Sequence, residues 1–129
     1  MEKKEIYTQK KSYIKYDEKH YLLYLHEESV PDYVAPVFGD EEPQPPMQAY
    51  AYTGDHVDGG TMVEATEASY DAFVNGLIRK RYSADRVEAI ILNSLNETAA
   101  RSAEFGQELA ELEAYRAECK EQAKKVLGI

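Results

Sequence analysis

Residues 48–81 read QAYAYTGDHVDGGTMVEATEASYDAFVNGLIRKR, and the period of the apolar pattern changes along them. In Gln48-Ala49-Tyr50-Ala51-Tyr52 the period is two, so Tyr50 and Tyr52 share one face of a strand while Ala49 and Ala51 share the other. From Tyr70 onward the spacing is three and four: Tyr70, Phe73, Val74, Leu77 and Ile78 fall on one face of a helix. Strand periodicity before this switch and helical periodicity after it define an α+β chain. The expected architecture is N-terminal antiparallel β-hairpins followed by a C-terminal three-helix segment with a long last helix. Residues 1–65 form the β region and residues 66–129 the helical region.

Working toward the N-terminus, the turn Gly54-Asp55-His56-Val57-Asp58-Gly59-Gly60 separates the Tyr50 strand from Met62-Val63, which predicts a hairpin with a long loop. All five prolines (Pro31, Pro36, Pro43, Pro45, Pro46) lie between Glu27 and Gln48, with Asp40-Glu41-Glu42 among them. Proline removes an amide donor and biases the preceding residue toward extended geometry, so residues 27–48 read as an acidic linker or arm. Further upstream, Tyr13-Ile14-Lys15-Tyr16 and His20-Tyr21-Leu22-Leu23-Tyr24-Leu25 flank Asp17-Glu18-Lys19, a first hairpin signal.

Working toward the C-terminus, Thr66 or Ser69 caps the first helix, Glu67 and Asp71 lie in its early turns, and Arg79-Lys80-Arg81 close it. Ser83 caps a second helix with Asp85 in its first turn and Val87, Ile90, Ile91 and Leu95 as its stripe. Residues Asn93 to Thr98 are a polar break. A long helix is expected from Ala99 to Leu127, with Phe105, Leu109, Leu112, Cys119, Ala123 and Val126 along one seam and Glu121 paired with Lys125. Tyr115 or Arg116 interrupts that seam, and Gly128 ends the helix.

Charge excludes several functions. No Lys or Arg occurs from His20 to Ile78, although eleven Asp and Glu do, and the net charge is −9. Such a chain does not neutralise phosphates, so nucleic acid and anionic membrane are poor partners. No apolar run approaches the roughly 18–20 residues of a membrane span. The basic N-terminal residues MEKKEIYTQKK lead into no apolar core of a signal peptide, and the single cysteine, Cys119, forms no internal disulfide, so a cytosolic site of synthesis is expected.

The residues that carry chemistry elsewhere are sparse here. Asp55, His56 and Asp58 place two carboxylates and an imidazole in one loop, as a divalent metal would need, but Asp and Gly are also what the turn requires. His20 and His26 stand at the two ends of an apolar strand with no nucleophile spaced to meet them. Cys119 falls on an apolar helical stripe, where packing is the expected role. No catalytic residue, metal site or cofactor is assigned. Tyrosine, by contrast, supplies eleven residues, eight of them before residue 53, and suits contact surfaces because its ring is apolar and its hydroxyl tolerates water. Tyr13, Tyr16, Tyr21, Tyr24, Tyr50 and Tyr52 are the candidate partner-binding residues, set against the reading that the same rings cover the helices as core.

From Tyr50 to the C-terminus the chain also resembles small proteins encoded in phages and prophages of gut Bacteroides-type bacteria. The residues that carry this are Tyr52-Thr53-Gly54, Asp58-Gly59-Gly60-Thr61, Leu77-Ile78-Arg79-Lys80-Arg81-Tyr82-Ser83, Glu88-Ala89-Ile90, Glu113-Ala114-Tyr115-Arg116, Ala117-Glu118-Cys119-Lys120 and Ala123-Lys124. An Ile-Arg-x-Arg-Tyr-Ser element followed by an acidic helix with Tyr-Arg-x-x-Cys-Lys-x-x-Ala-Lys is similar to the C-terminal part of tail-fibre assembly-type proteins. The resemblance implies a non-enzymatic factor that binds a phage structural protein, a tail fibre or tail component, in the bacterial host cytoplasm during assembly. It supplies no catalytic residues. The alternatives are a virion subunit that self-associates along the Phe105–Val126 seam as a homo-oligomer, and a metal-dependent enzyme using Asp55, His56 and Asp58.

Overall fold

The computed structural model describes residues 2–95 and 102–129. Six strands come first: β1 (Lys3–Tyr7), β2 (Tyr13–Asp17), β3 (His20–Leu23), β4 (Glu28–Tyr33), β5 (Met47–Gly54) and β6 (Thr61–Glu64). Three helices follow, α1 (Tyr70–Arg79), α2 (Ala84–Ser94) and α3 (Ser102–Leu127). The strands form two antiparallel three-stranded sheets, ordered β1-β5-β4 and β2-β3-β6, so the chain is α+β as its periodicity requires. It divides into two compact units, Met1–Tyr16 with Leu22–Met62, and Asp17–Tyr21 with Val63–Ile129. The short Asp17–Tyr21 segment belongs with the helices in this division.

In the first unit β5 is central. Its register runs Lys3↔Gly54 through Tyr7↔Tyr50 on the β1 side and Glu28↔Ala51 through Tyr33↔Met47 on the β4 side. Both flanks of β5 are thus occupied, while β6 hydrogen-bonds in the other sheet. The expected β5–β6 hairpin therefore does not form: the two strands are consecutive in sequence but belong to different sheets. The proline-rich stretch also differs from the linker expected over residues 27–48. Its ends are the strands β4 and β5, and it connects them within one unit. Pro31 is tolerated because β4 is an outer strand, and the register shifts between Val30 and Tyr33, where two residues of β4, Pro31 and Asp32, oppose Gln48 of β5.

In the second unit the turn after β2 is an Asx turn: Asp17 Oδ1 accepts from Lys19 N at 2.8 Å and lies 2.8 Å from His20 Nδ1. Helix α1 begins at Ser69, whose hydroxyl accepts from Ala72 N at 3.2 Å. Helix α2 begins at Ser83, whose hydroxyl accepts from Arg86 N at 3.0 Å. Phe73, Val74, Leu77 and Ile78 are buried as the spacing predicts, and Tyr21 meets Phe73 edge-on at 5.4 Å. Gly76 lets α1 approach β6, since a Cβ there would stand 2.8 Å from the Glu64 carbonyl oxygen. Both α1 and α2 pack on α3.

The stripe of α2 is narrower than expected: Ile90 is buried, but Ile91 and Leu95 are exposed. Asn93 and Ser94 continue α2 rather than breaking it; positions 96–98 of the expected break and 99–101 of the expected last helix lie outside the described residues. On α3, Leu112, Cys119, Ala123 and Val126 of the expected seam are buried within this single chain, whereas Phe105 and Leu109 are half-buried. Glu121 pairs with Lys124 at 3.7 Å, three positions on, rather than with the expected Lys125 at four; both spacings place the partner on the same helical face. Gly128, at φ 72°, ends the helix in a Schellman motif, with Ile129 N donating to the Lys124 carbonyl and Gly128 N to that of Lys125.

Candidate functional site

Side chains of unusual polarity concentrate in the first unit, around Asp58. The loop after β5 closes when His56 N donates to the Gly60 carbonyl at 2.9 Å and Gly59 N to that of His56 at 3.0 Å. This turn points the Asp58 carboxylate back at the sheet. Its Oδ2 accepts from Tyr24 Oη at 2.7 Å; its Oδ1 accepts from Gly60 N at 2.9 Å and lies 2.9 Å from His56 Nδ1. The Asp58 backbone carbonyl accepts from Tyr7 Oη. Burial alone would raise the carboxyl pKa, but the hydrogen bonds from Tyr24, Gly60 and His56 outweigh it and hold the group below its ordinary value.

The rings above this loop form one cluster. Leu22, Tyr24 and Tyr52 are buried, with Tyr7, Tyr50 and Met62 packed against them. Tyr7 and Tyr24 meet edge-on at 6.0 Å, and Tyr24 and Tyr52 do so at 5.8 Å. Tyr52 Oη donates to Glu27 Oε1 at 2.7 Å and accepts from Lys11 N at 2.9 Å, so its hydroxyl is satisfied on both counts. The Lys11 ammonium lies 4.6 Å from the centre of the Tyr7 ring and 5.3 Å from that of Tyr24. Burial is the main cause that raises the Tyr24 hydroxyl well above its usual value and carries Tyr52 up to about 12.

The six tyrosines singled out from sequence thus divide. Tyr24 and Tyr52 are core and hydrogen-bonded within the first unit, Tyr50 is half-buried beside them, and Tyr21 is buried against Phe73 in the second unit. Tyr21, Tyr24 and Tyr52 therefore present little surface in the folded chain. Tyr13 and Tyr16, on β2, are 38% and 52% exposed, and Ile14 between them is 52% exposed. Tyr16 leans edge-on against the His56 ring at 5.5 Å.

The loop residues do not assemble as metal ligands. Asp55 Oδ1 accepts from Met62 N at 2.9 Å, whereas Asp58 is engaged by Tyr24, Gly60 and His56. Among the described residues no group of three or more His, Cys, Asp or Glu side chains is placed to hold a metal ion. His20 sits on the Asp17 turn, and His26, beyond β3, is exposed and adopts φ 57°. Cys119 is buried, and burial pushes its thiol pKa up, which makes the thiolate scarce. Among the described residues no helix is long and apolar enough to cross a membrane.

Sequence reasoning missed Tyr7 and the Asp58 carboxylate as the partners that hold the tyrosine cluster. Tyr7 lies in a lysine-rich stretch without alternation, and its pairing with β5 spans over forty residues. Asp58 read as turn chemistry, which it is, but the same carboxylate also anchors a ring thirty-four positions away. Tyr115, taken as a gap in the α3 seam, donates from its hydroxyl to the Leu77 carbonyl at 2.8 Å, fastening α3 to α1. No protein-family model, curated protein or solved structure matches this chain.

Proposed function

We propose that this chain is a non-enzymatic protein-binding factor that takes up an extended segment of its partner along β2. The observation that carries this reading is the exposure of that strand. β2 is outermost in its sheet, and each of its residues, Tyr13-Ile14-Lys15-Tyr16-Asp17, is exposed. An outer strand with aromatic and branched side chains on both faces is an association template unless something covers it. Strand addition supplies main-chain hydrogen bonds, and the tyrosine rings supply anchors that give choice of partner.

The resemblance over Tyr50 to the C-terminus supports a phage structural protein, a tail fibre or a small tail component, as that partner, met in the host cytoplasm during assembly. The test is co-expression with a phage tail-fibre protein, followed by size-exclusion chromatography with light scattering. The fibre is expected to become soluble and co-elute with this chain, and Tyr13→Ala/Tyr16→Ala to abolish both effects while leaving the melting temperature in place. Co-elution unaffected by that double substitution would sink the β2 reading. A fibre indifferent to the chain, with the chain eluting alone as a defined oligomer, would favour a structural subunit instead.

A further inference from the structure

The two basic residues that bound the cation-free stretch, Lys19 and Arg79, are sixty positions apart in sequence and line the same cleft of about 550 Å³. That volume lies within the range of small-molecule sites. All of the lining belongs to the second unit. The lining comes from one side of α1, where Asn75, Gly76 and Arg79 recur at helical spacing, and from Glu64 at the end of β6 with Ala65 and Thr66 just beyond it. Ala65, Ala72 and Gly76 of this lining are small residues.

The backbone that carries Lys19 is fixed from both sides. Its N–H donates to Asp17 Oδ1 at 2.8 Å and its carbonyl accepts from Ala65 N at 2.8 Å. Among the described residues the structure gives Lys19, Arg79 and Glu64 no side-chain ion pair, although all three are exposed around one opening. Two cations, one carboxylate, an amide and a hydroxyl therefore face the same space without partners of their own.

This charge set selects a ligand class. A phosphate or a polycarboxylate would meet the Glu64 carboxylate as well as the repulsion of a chain of net charge −9. A ligand bearing one carboxylate and one amino group meets neither difficulty, because it is neutral overall and offers a partner to each of the three charges. We propose that the cleft binds a small zwitterion, its carboxylate between Lys19 and Arg79 and its amino group at Glu64, the chemistry shared by a free amino acid and a short peptide with both ends free. No lining residue of this site lies on β2, and the two proposals are tested by different substitutions, so either can fail alone.

The test uses the full chain labelled with nitrogen-15, titrated at low ionic strength and followed by amide shifts. Triglycine is expected to move the amides of Ala65, Thr66, Asn75 and Gly76. N-acetyl-triglycine and triglycinamide, which each lack one charge, are expected to bind about threefold more weakly, the scale of one exposed ion pair. Glu64→Gln is expected to erase the preference for the free amino group, and Lys19→Gln/Arg79→Gln the preference for the free carboxylate. All three residues are exposed, and unchanged melting temperatures would show that the variants fold. Glycine acting as well as triglycine would assign the free amino acid, and triglycine alone the peptide. Silent amides at these positions, equal binding of the capped peptides, or inorganic phosphate binding that tightens in Glu64→Gln would overturn the proposal.

Discussion

Asp58→Ala should be the most damaging substitution of an exposed-loop residue in this chain, and the cost follows from what its carboxylate holds. Two buried donors lose their acceptor: Tyr24 Oη, at 2.7 Å, and Gly60 N, at 2.9 Å. Tyr24 is 6% exposed, so water does not readily replace the carboxylate there. A buried donor left without a partner costs about 1–3 kcal/mol, and the His56 contact, half exposed, adds little. The expected loss is about 2–4 kcal/mol. Tyr24→Phe should cost less, about 1–2 kcal/mol, because Asp58 is partly open to solvent and rehydrates.

The decisive measurement is the double variant. Phenylalanine removes the hydroxyl that Asp58→Ala orphans, so Tyr24→Phe/Asp58→Ala should be no less stable than Asp58→Ala alone, a coupling of about 1–2 kcal/mol. Urea denaturation supplies the numbers, and the chain provides its own probes. It contains no Trp, and seven of its eleven tyrosines (Tyr7, Tyr13, Tyr16, Tyr24, Tyr33, Tyr50, Tyr52) lie in the first unit. Tyrosine fluorescence therefore reports chiefly on that unit, whereas far-UV circular dichroism reports chiefly on the helices. The pH dependence has a fixed sign. The folded pKa of Asp58 is depressed, so its contribution is complete above the unfolded value near 3.8 and is lost as pH falls through the lower folded value. The gap between wild type and Asp58→Asn should close below that point. Costs that simply add in the double variant, to within about 0.5 kcal/mol, would refute the assignment of Asp58 as the anchor of Tyr24.

Other substitutions test the second unit. Gly76→Ala should destabilise by about 1–3 kcal/mol despite the better helix former, because its Cβ would stand 2.8 Å from the Glu64 carbonyl oxygen and 3.0 Å from Val63 Cβ. Gly106→Ala, in α3 with nothing within 4 Å of the new methyl, should stabilise by about 0.5–1 kcal/mol, and thermal melts of the two variants side by side check both signs. Tyr115→Phe should cost about 1 kcal/mol through the lost bond to the Leu77 carbonyl, read in the same melts. Tyr52 and Tyr115, raised by burial to about 12 from 10, stabilise the fold fully below pH 10 and lose that contribution as pH climbs through their folded values; alkaline difference spectra should show two fewer late-ionising tyrosines in Tyr52→Phe/Tyr115→Phe than in the wild type.

The helices were legible in the sequence because everything that defines them is local. Ser69, Ser83 and Gly128 act at the ends they mark, and Phe73, Val74, Leu77 and Ile78 turn the same face inward. The strands were legible as strands but not as partners. Pairing is a choice among edges, and nothing between Tyr50 and Val63 says that β1, over forty residues upstream, takes the flank of β5 that a local hairpin would have used. Strand β4 was obscured by Pro31, which argues for a linker wherever the strand might be central and is harmless at an outer position. Burial of the tyrosines was equally non-local. The alternation at Tyr50 and Tyr52 predicts a shared face, but whether that face meets solvent depends on Tyr7, Tyr24 and the Asp58 loop arriving from elsewhere.

That dependence explains why tyrosine count alone is a poor guide to a contact surface in this chain. A tyrosine entering a small core brings a hydroxyl that must find a partner, and the first unit supplies one to each buried ring it stacks: Asp58 to Tyr24, Glu27 and Lys11 to Tyr52, and the Asp58 carbonyl to Tyr7. The acidic character of the stretch from His20 to Ile78 is partly accounted for in this way, since Glu27 and Asp58 serve as internal acceptors. Tyr13 and Tyr16 lie on an exposed strand, and Tyr16 meets the His56 ring only at its edge. These two rings keep 38% and 52% of their surface in solvent, against 6% for Tyr24 and 1% for Tyr52. The proposed use of β2 as a binding strand rests on this contrast between neighbouring tyrosines rather than on their number.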